Sequence, residues 1–336
     1  MRRAQHGLSL TELMISLLLG SVLVVGSVSL FAGARVTHRA TEALSRAQES
    51  GRIAIDLLAA ELRQAGYSAA CDEPNNLLDN ESEAWRAEVF DLSRAVFGWT
   101  GDPDGLGLSN QLADTDALLV KHAAVSSGAM ASGETATNHS SVNLTGASGV
   151  GEDQIVLIAN TQGCDLFQNR SNDNASALSR GVGNNPGNKV PGSNAFSHAY
   201  DEDMDIQLFS SNVYYVGRKA GHAPALWRKP FSRGATPVQE LIEGISHLLV
   251  CYGIDSDEDE LVDNHVAVDA VDDWERVRSV RLTVIAVGPN PGTAEQPQTV
   301  NIVDCDGDDE TIDIPERRHA TVFSTSVALR NRLPVL

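Results

Sequence analysis

Met1-Arg2-Arg3-Ala4-Gln5-His6-Gly7-Leu8-Ser9-Leu10-Thr11-Glu12-Leu13 opens the chain and leads into an uncharged segment that ends at Ala34. From Leu13 to Ala34 the residues are Leu, Val, Ile, Met and Phe, with small Gly and Ala and a few Ser. About twenty such residues cross a bilayer core as a helix. Arg2 and Arg3 precede them, so the positive-inside rule keeps the amino end in the cytoplasm and exports the rest. One carboxylate, Glu12, stands at the mouth of this segment. A carboxylate in hydrocarbon costs roughly 2.5–3.5 kcal/mol on insertion scales and usually finds a partner.

Two plainer readings compete. A secretory signal peptide has a short apolar core followed by a small-x-small cleavage site. Here the apolar run is long, Gly33-Ala34-Arg35 is a poor site, and the polar break at Gly7 precedes the run. A plain signal anchor leaves Glu12 without a reason.

The helical pattern continues beyond Ala34. Leu44, Ala47, Gly51, Ile55, Leu58, Leu62 and Ala65 recur at three- and four-residue steps, the mark of one apolar stripe. Arg46, Glu49, Arg52, Asp56, Glu61 and Arg63 are expected on the opposite side. No proline occurs from Met1 to Tyr67, and Gly66 stands where a helix C-cap belongs. One helix is therefore expected over residues 8–66, membrane-spanning at about 13–34 and amphipathic after that.

Gly7-Leu8-Ser9-Leu10-Thr11-Glu12-Leu13 resembles the class III signal of type IV pilins and type II secretion pseudopilins. The resemblance implies a leader of residues 1–7, cut by a prepilin peptidase between Gly7 and Leu8. It implies N-methylation of Leu8 and retention of Glu12 as the acid that sets assembly register. The family most often has Phe where Leu8 stands. The Ser50-Gly51-Arg52 step, the Leu62-Arg63-Gln64-Ala65-Gly66-Tyr67 ending, Cys251-Tyr-Gly-Ile-Asp-Ser-Asp257, Trp274-Glu-Arg-Val-Arg-Ser-Val-Arg-Leu282 and Val327-Ala-Leu-Arg-Asn-Arg-Leu-Pro334 are similar to the PilW family of minor pilins. The likeness covers the first 67 residues and about the last 100; residues 72–235 carry none. It implies a type IV pilin fold and a single-pass inner-membrane prepilin that later joins the pilus. Its implied partners are the peptidase, inner-membrane lipid, other minor pilins and the major pilin. A J-type pseudopilin is the alternative within the superfamily.

The exported head, residues 67–336, is read as α+β, with the helix stripe laid on an antiparallel sheet. Strands are expected at Ala117–His122, Gln154–Ala159, Asn212–Val216, Ala225–Arg228, Leu248–Tyr252, Val277–Val287 and Ala320–Leu329. Gly-, Ser- and Asn-rich stretches at Ser126–Gly151 and Asn169–Ser197 read as long loops, suggesting a loop-rich insertion over about 126–200. The formal net charge of −20 argues against nucleic acid, which needs a basic stripe. Cys71, Cys164, Cys251 and Cys305 form no Cys-x-x-Cys pair, and an even count in an exported chain favours disulfides. Three connectivities are open; neighbours in chain order, Cys71–Cys164 and Cys251–Cys305, are preferred.

Enzyme signatures are weak: there is no Walker loop, nucleophile elbow or His-Glu-x-x-His, and no cofactor beyond a candidate calcium ion is expected. An anchored metal-dependent enzyme and an adhesin are the rival classes. Asp255, Asp257, Asp259 and Asp263 alternate in a short acidic run, as hard oxygens around calcium do. Glu260 and Val266 break the EF-hand pattern, so a shorter calcium loop or a solvated acidic turn remains, the turn being the plainer reading. Asp304, Asp306, Asp308 and Glu310 form a second acidic run with the same two readings.

Overall fold

With no proline before Pro74, the chain opens on one unbroken helix, α1 (Leu10–Gln64), in the computed structural model. The structure describes residues 10–68, 71, 73–101, 103, 105–233 and 236–332. The helix stops at Gly66, whose φ of 75° lies in the left-handed region that glycine enters freely. Its backbone N–H then leaves the helix and bonds to Lys121 O at 2.8 Å.

The head follows in chain order. It comprises β1 (Asn75–Asn76), a single-turn helix α2 (Ala87–Phe90), β2 (Val96–Thr100), β3 (Asp116–Ser126), β4 (Ser141–Asn143), β5 (Ile155–Ala159) and β6 (Cys164–Gln168). Next come β7 (Ala177–Ser179), β8 (Asp205–Gly217), β9 (Ala225–Pro230), β10 (Gln239–Glu243) and β11 (Ile245–Ile254). The chain closes with β12 (Asn264–Val266), β13 (Val277–Val287), β14 (Gln298–Val303), β15 (Asp309–Ile314) and β16 (Ala320–Ala328). Every strand foreseen from the sequence is present, and Val277–Val287 keeps its bounds. The strands not foreseen include β6, β10 and the β14–β15 hairpin.

Two main sheets and two two-stranded ones, β4–β7 and β14–β15, organise these strands. The larger runs β1-β6-β5-β8-β3-β2, with β9 on β8 and β10 on β9; only the two-residue β1–β6 pairing is parallel. The smaller is antiparallel, in the order β12-β11-β13-β16. The fold is α+β, a long amino-terminal helix on a largely antiparallel head.

The second half of α1 lies in the main core. Ala47, Ala54, Leu58, Ala59 and Leu62 pack with Ile245, Leu248, Val250, Val280, Leu282 and Val284 of the small sheet and with Leu118, Val120 and Tyr214 of the large one. The buried stripe is narrower in side-chain size than its pattern suggests. Ala43 and Ala54 face inward, while Leu44 is 37% exposed and Ile55 sits on the flank. Small residues let the helix axis approach the strands closely.

The polar stretches within 126–200 are held by buried side chains bonded to backbone. Asn169 donates to Val150 O, Gly151 O and Ser171 O and accepts from the N–H groups of Ser171 and Ser179. Arg180, almost fully buried, donates to Thr137 O and His139 O and lies over the Phe196 ring. A satellite core of Val142, Leu178, Phe196 and Tyr200 forms beneath them. β5 and β6, from the same span, lie inside the large sheet.

Candidate functional site

Gly7 and Leu8, the expected cut, lie outside the described residues. Glu12 sits in the first turn of α1 and is exposed. Helix dipoles favour an acid there. From Leu10 to Val36 the helix buries no residue, and Leu10, Leu17, Leu23 and Leu30 all point outward. At 1.5 Å per residue this is an apolar rod about 40 Å long. Such a surface needs lipid or other helices as its surroundings. Arg35 marks its end, stacked over Phe31 at 4.4 Å.

Below the rod, α1 is locked to the head at three points. The first is Gly51. A Cβ there would collide with the Phe323 ring and come within 3.0 Å of Ala286 Cβ. β13 and β16 thus press on bare helix backbone. The second is Asn331, beyond β16. Its Nδ2 donates to Ala65 O at 3.1 Å and Arg63 O at 3.4 Å, satisfying carbonyls that the helix end leaves open. The third is Glu61, which the sequence pattern placed on the solvent face. It is half-buried, with His122 Nε2 3.7 Å from its Oε2. Burial pushes the Glu61 carboxyl up, but His122, Tyr214 and Arg228 together outweigh that and hold it below its ordinary range.

The cysteines pair as Cys71–Cys164 and Cys251–Cys305, with Cα separations of 5.9 and 5.2 Å. The first joins the segment after α1 to β6; the second joins β11 to the β14–β15 turn.

Of the four predicted calcium residues, the structure brings three together. One carboxylate oxygen each from Asp255, Asp257 and Asp263 lies within 4.8 Å of the others, in the loop between β11 and β12. Asp259 stands outside this group, its Oδ1 accepting from Leu261 N at 2.9 Å. Asp255 is fully buried. Its Oδ2 accepts from Arg278 Nε at 3.2 Å and Glu260 N at 3.1 Å. Hydrogen bonds from Ser256 hold the Asp263 carboxyl below its ordinary range. The second acidic run differs: Asp304 Oδ1 accepts from the N–H groups of Asp306 and Asp308, closing a turn on itself.

Residues 213–331 match the family model of the type IV pilus-assembly protein W, PilW. Residues 2–28 match the prokaryotic N-terminal methylation motif. The chain is a pilin-like protein with a PilW segment. No curated protein and no solved structure was found to match it. The PilW segment starts inside β8 and runs through β16 to Asn331, so it holds the small sheet, the second disulfide and the helix-locking residues Phe323 and Asn331. The methylation motif holds Gly7, Leu8 and Glu12. The docking half of α1 and the larger part of the large sheet fall between the two matches. Motif and apolar rod together point to a membrane-anchored, pilin-like chain with a periplasmic head.

Proposed function

We propose that this chain is a minor pilin that primes or caps the type IV pilus fibre. The observation that carries the reading is Glu12 at the start of an apolar rod that the head leaves bare, within a methylation motif. Prepilin peptidase hydrolyses the Gly7–Leu8 amide. Water supplies the second oxygen of the Gly7 carboxylate, and its protons go to the freed Leu8 α-amine. That amine is protonated near neutral pH and is methylated without losing its charge. It pairs with Glu12, in the same chain or in a neighbour, and offsets the cost of placing a carboxylate in hydrocarbon. A charge tolerated only where its mate sits can set the stagger between subunits.

The chain itself serves as the peptidase's substrate and as a structural subunit. Its head chooses partners among the other minor pilins and the major pilin. Three measurements test this. A mass spectrum of the mature protein should show a chain beginning at methylated Leu8; one that retains Met1 overturns the reading. Glu12→Ala should insert and be cleaved yet fail to support piliation. Normal piliation in that strain removes the register role, and a deletion that loses type II secretion instead of pili assigns the chain to pseudopilins.

A further inference from the structure

The loop between β11 and β12 carries a feature that the pilin reading does not use. Asp255 Oδ1 is buried and has no hydrogen-bond donor, although the other oxygen of the same carboxylate has two. A buried, undonated carboxylate oxygen forfeits its hydration with nothing in return. One oxygen each of Asp257 and Asp263 lies within 4.8 Å of an oxygen of this carboxylate.

Charge neutralisation within the loop is incomplete. Arg278 answers Asp255, 3.2 Å from its Oδ2. Arg276 is committed to Glu258 at 2.6 Å and Asp273 at 3.6 Å. Among the described residues no Lys or Arg stands in ion-pair range of Asp257 or Asp263. Three carboxylates this close repel one another unless a cation sits between them.

We propose that Asp255, Asp257 and Asp263 bind a calcium ion. All three offer hard oxygen ligands, and calcium accepts a flexible shell of six to eight oxygens, completed by water and loop carbonyls. Asp255 supplies the buried end of the site; Asp257 and Asp263, both exposed, close over the outer side. The smaller magnesium ion demands a tighter octahedron and gives up water reluctantly, so it fits this loop poorly. The site ties β11 to β12, next to the disulfide-bearing part of β11. It does not depend on the pilin assignment, since calcium would bind whether or not the chain enters a fibre.

The test uses the mature full-length chain in detergent micelles, melted in a chelator, in about 10 mM calcium chloride and in about 10 mM magnesium chloride. Exposed extracellular calcium modules bind with Kd of about 10⁻⁴–10⁻³ M. Calcium should therefore raise Tm by about 3–5 °C, and magnesium by less than about 1 °C. The double variant Asp257→Asn, Asp263→Asn alters only exposed oxygens, so it should fold and lose the calcium shift. Asp306→Asn, in the self-closed turn, should keep it. No calcium shift in the wild-type chain overturns the proposal. So does an equal magnesium shift, a shift that survives in the double variant, or one lost in Asp306→Asn.

Discussion

Asp116 shows how one side chain can join two sheets. It lies on β3, where its Oδ2 accepts from Val250 N of β11 at 2.8 Å and its Oδ1 from Thr100 Oγ1 at 3.3 Å. Val250 stands beyond the reach of the short β12, so its outward N–H would otherwise go unmet. Burial pushes the Asp116 carboxyl up to about 6, against the opposing pull of the Val250 bond. A carboxyl raised above its unfolded value contributes stability that is fully present below that value. The contribution is lost as pH rises through about 6. Asp116→Asn, which still accepts from Val250, should therefore gain on the wild type between about pH 4 and 6. It should end roughly 1–2 kcal/mol more stable at neutral pH, read from denaturant midpoints at the two extremes. Glu61 acts in the opposite sense. Its lowered carboxyl contributes stability at neutral pH that falls away as pH drops below its ordinary value of about 4.5, so helix seating should loosen in acid. Gly51 and Asn331 set the fit of the same helix. Gly51→Leu drives a side chain into Phe323 and should cost about 1–3 kcal/mol by overpacking. Asn331→Ala strips the bonds to Ala65 O and Arg63 O and should cost about 0.5–1.5 kcal/mol. Thermal melts of the two variants check both figures.

Elements differ in how clearly the sequence announced them. The stem α1 was legible because its residues repeat every three or four positions and no proline intervenes. Its inward face is legible only in part, since Ala43 and Ala54 turn inward where the pattern favours the larger Leu44 and Ile55. Hydrophobicity ranks large side chains first, whereas close helix–sheet contact selects small ones. β13 and β16 were legible from their alternation. β14 and β15 were not: Asp309, Glu310 and Asp313 give their hairpin the look of a solvated turn, although Ile302 and Ile314 pack under the small sheet with Ile285 and Val287. The hairpin is tethered by Cys251–Cys305, which closes a span of 54 residues. Replacing both cysteines by Ser should cost about 2–4 kcal/mol and release β14–β15 first, seen as early loss of amide protection there. The stretches around Asn169 and Arg180 looked structureless because a polar side chain that braces a loop leaves no periodicity to read.

At the scale of the molecule the head divides its work. The small sheet and its hairpin hold most of the PilW segment and grip the stem. Most strands of the large sheet lie in sequence that matches neither family model. The candidate site follows the same division. Gly7, Leu8 and Glu12 were legible as a local motif, and the Asp255 loop as a local run of acids. The burial of Asp255 and the inward turn of Glu61 depend on Arg278 of β13 and His122 of β3, and no local pattern reports them. One consequence follows from Asn331 sealing the end of the helix that opens the chain. The strands that press on Gly51, β13 and β16, are made more than 200 residues after it, and the cap later still. The stem thus crosses the membrane long before its clasp exists. A nascent chain stalled upstream of β13 presents an anchored but unclasped rod, so the order of synthesis itself delays the finished subunit until the whole head has been translated and folded.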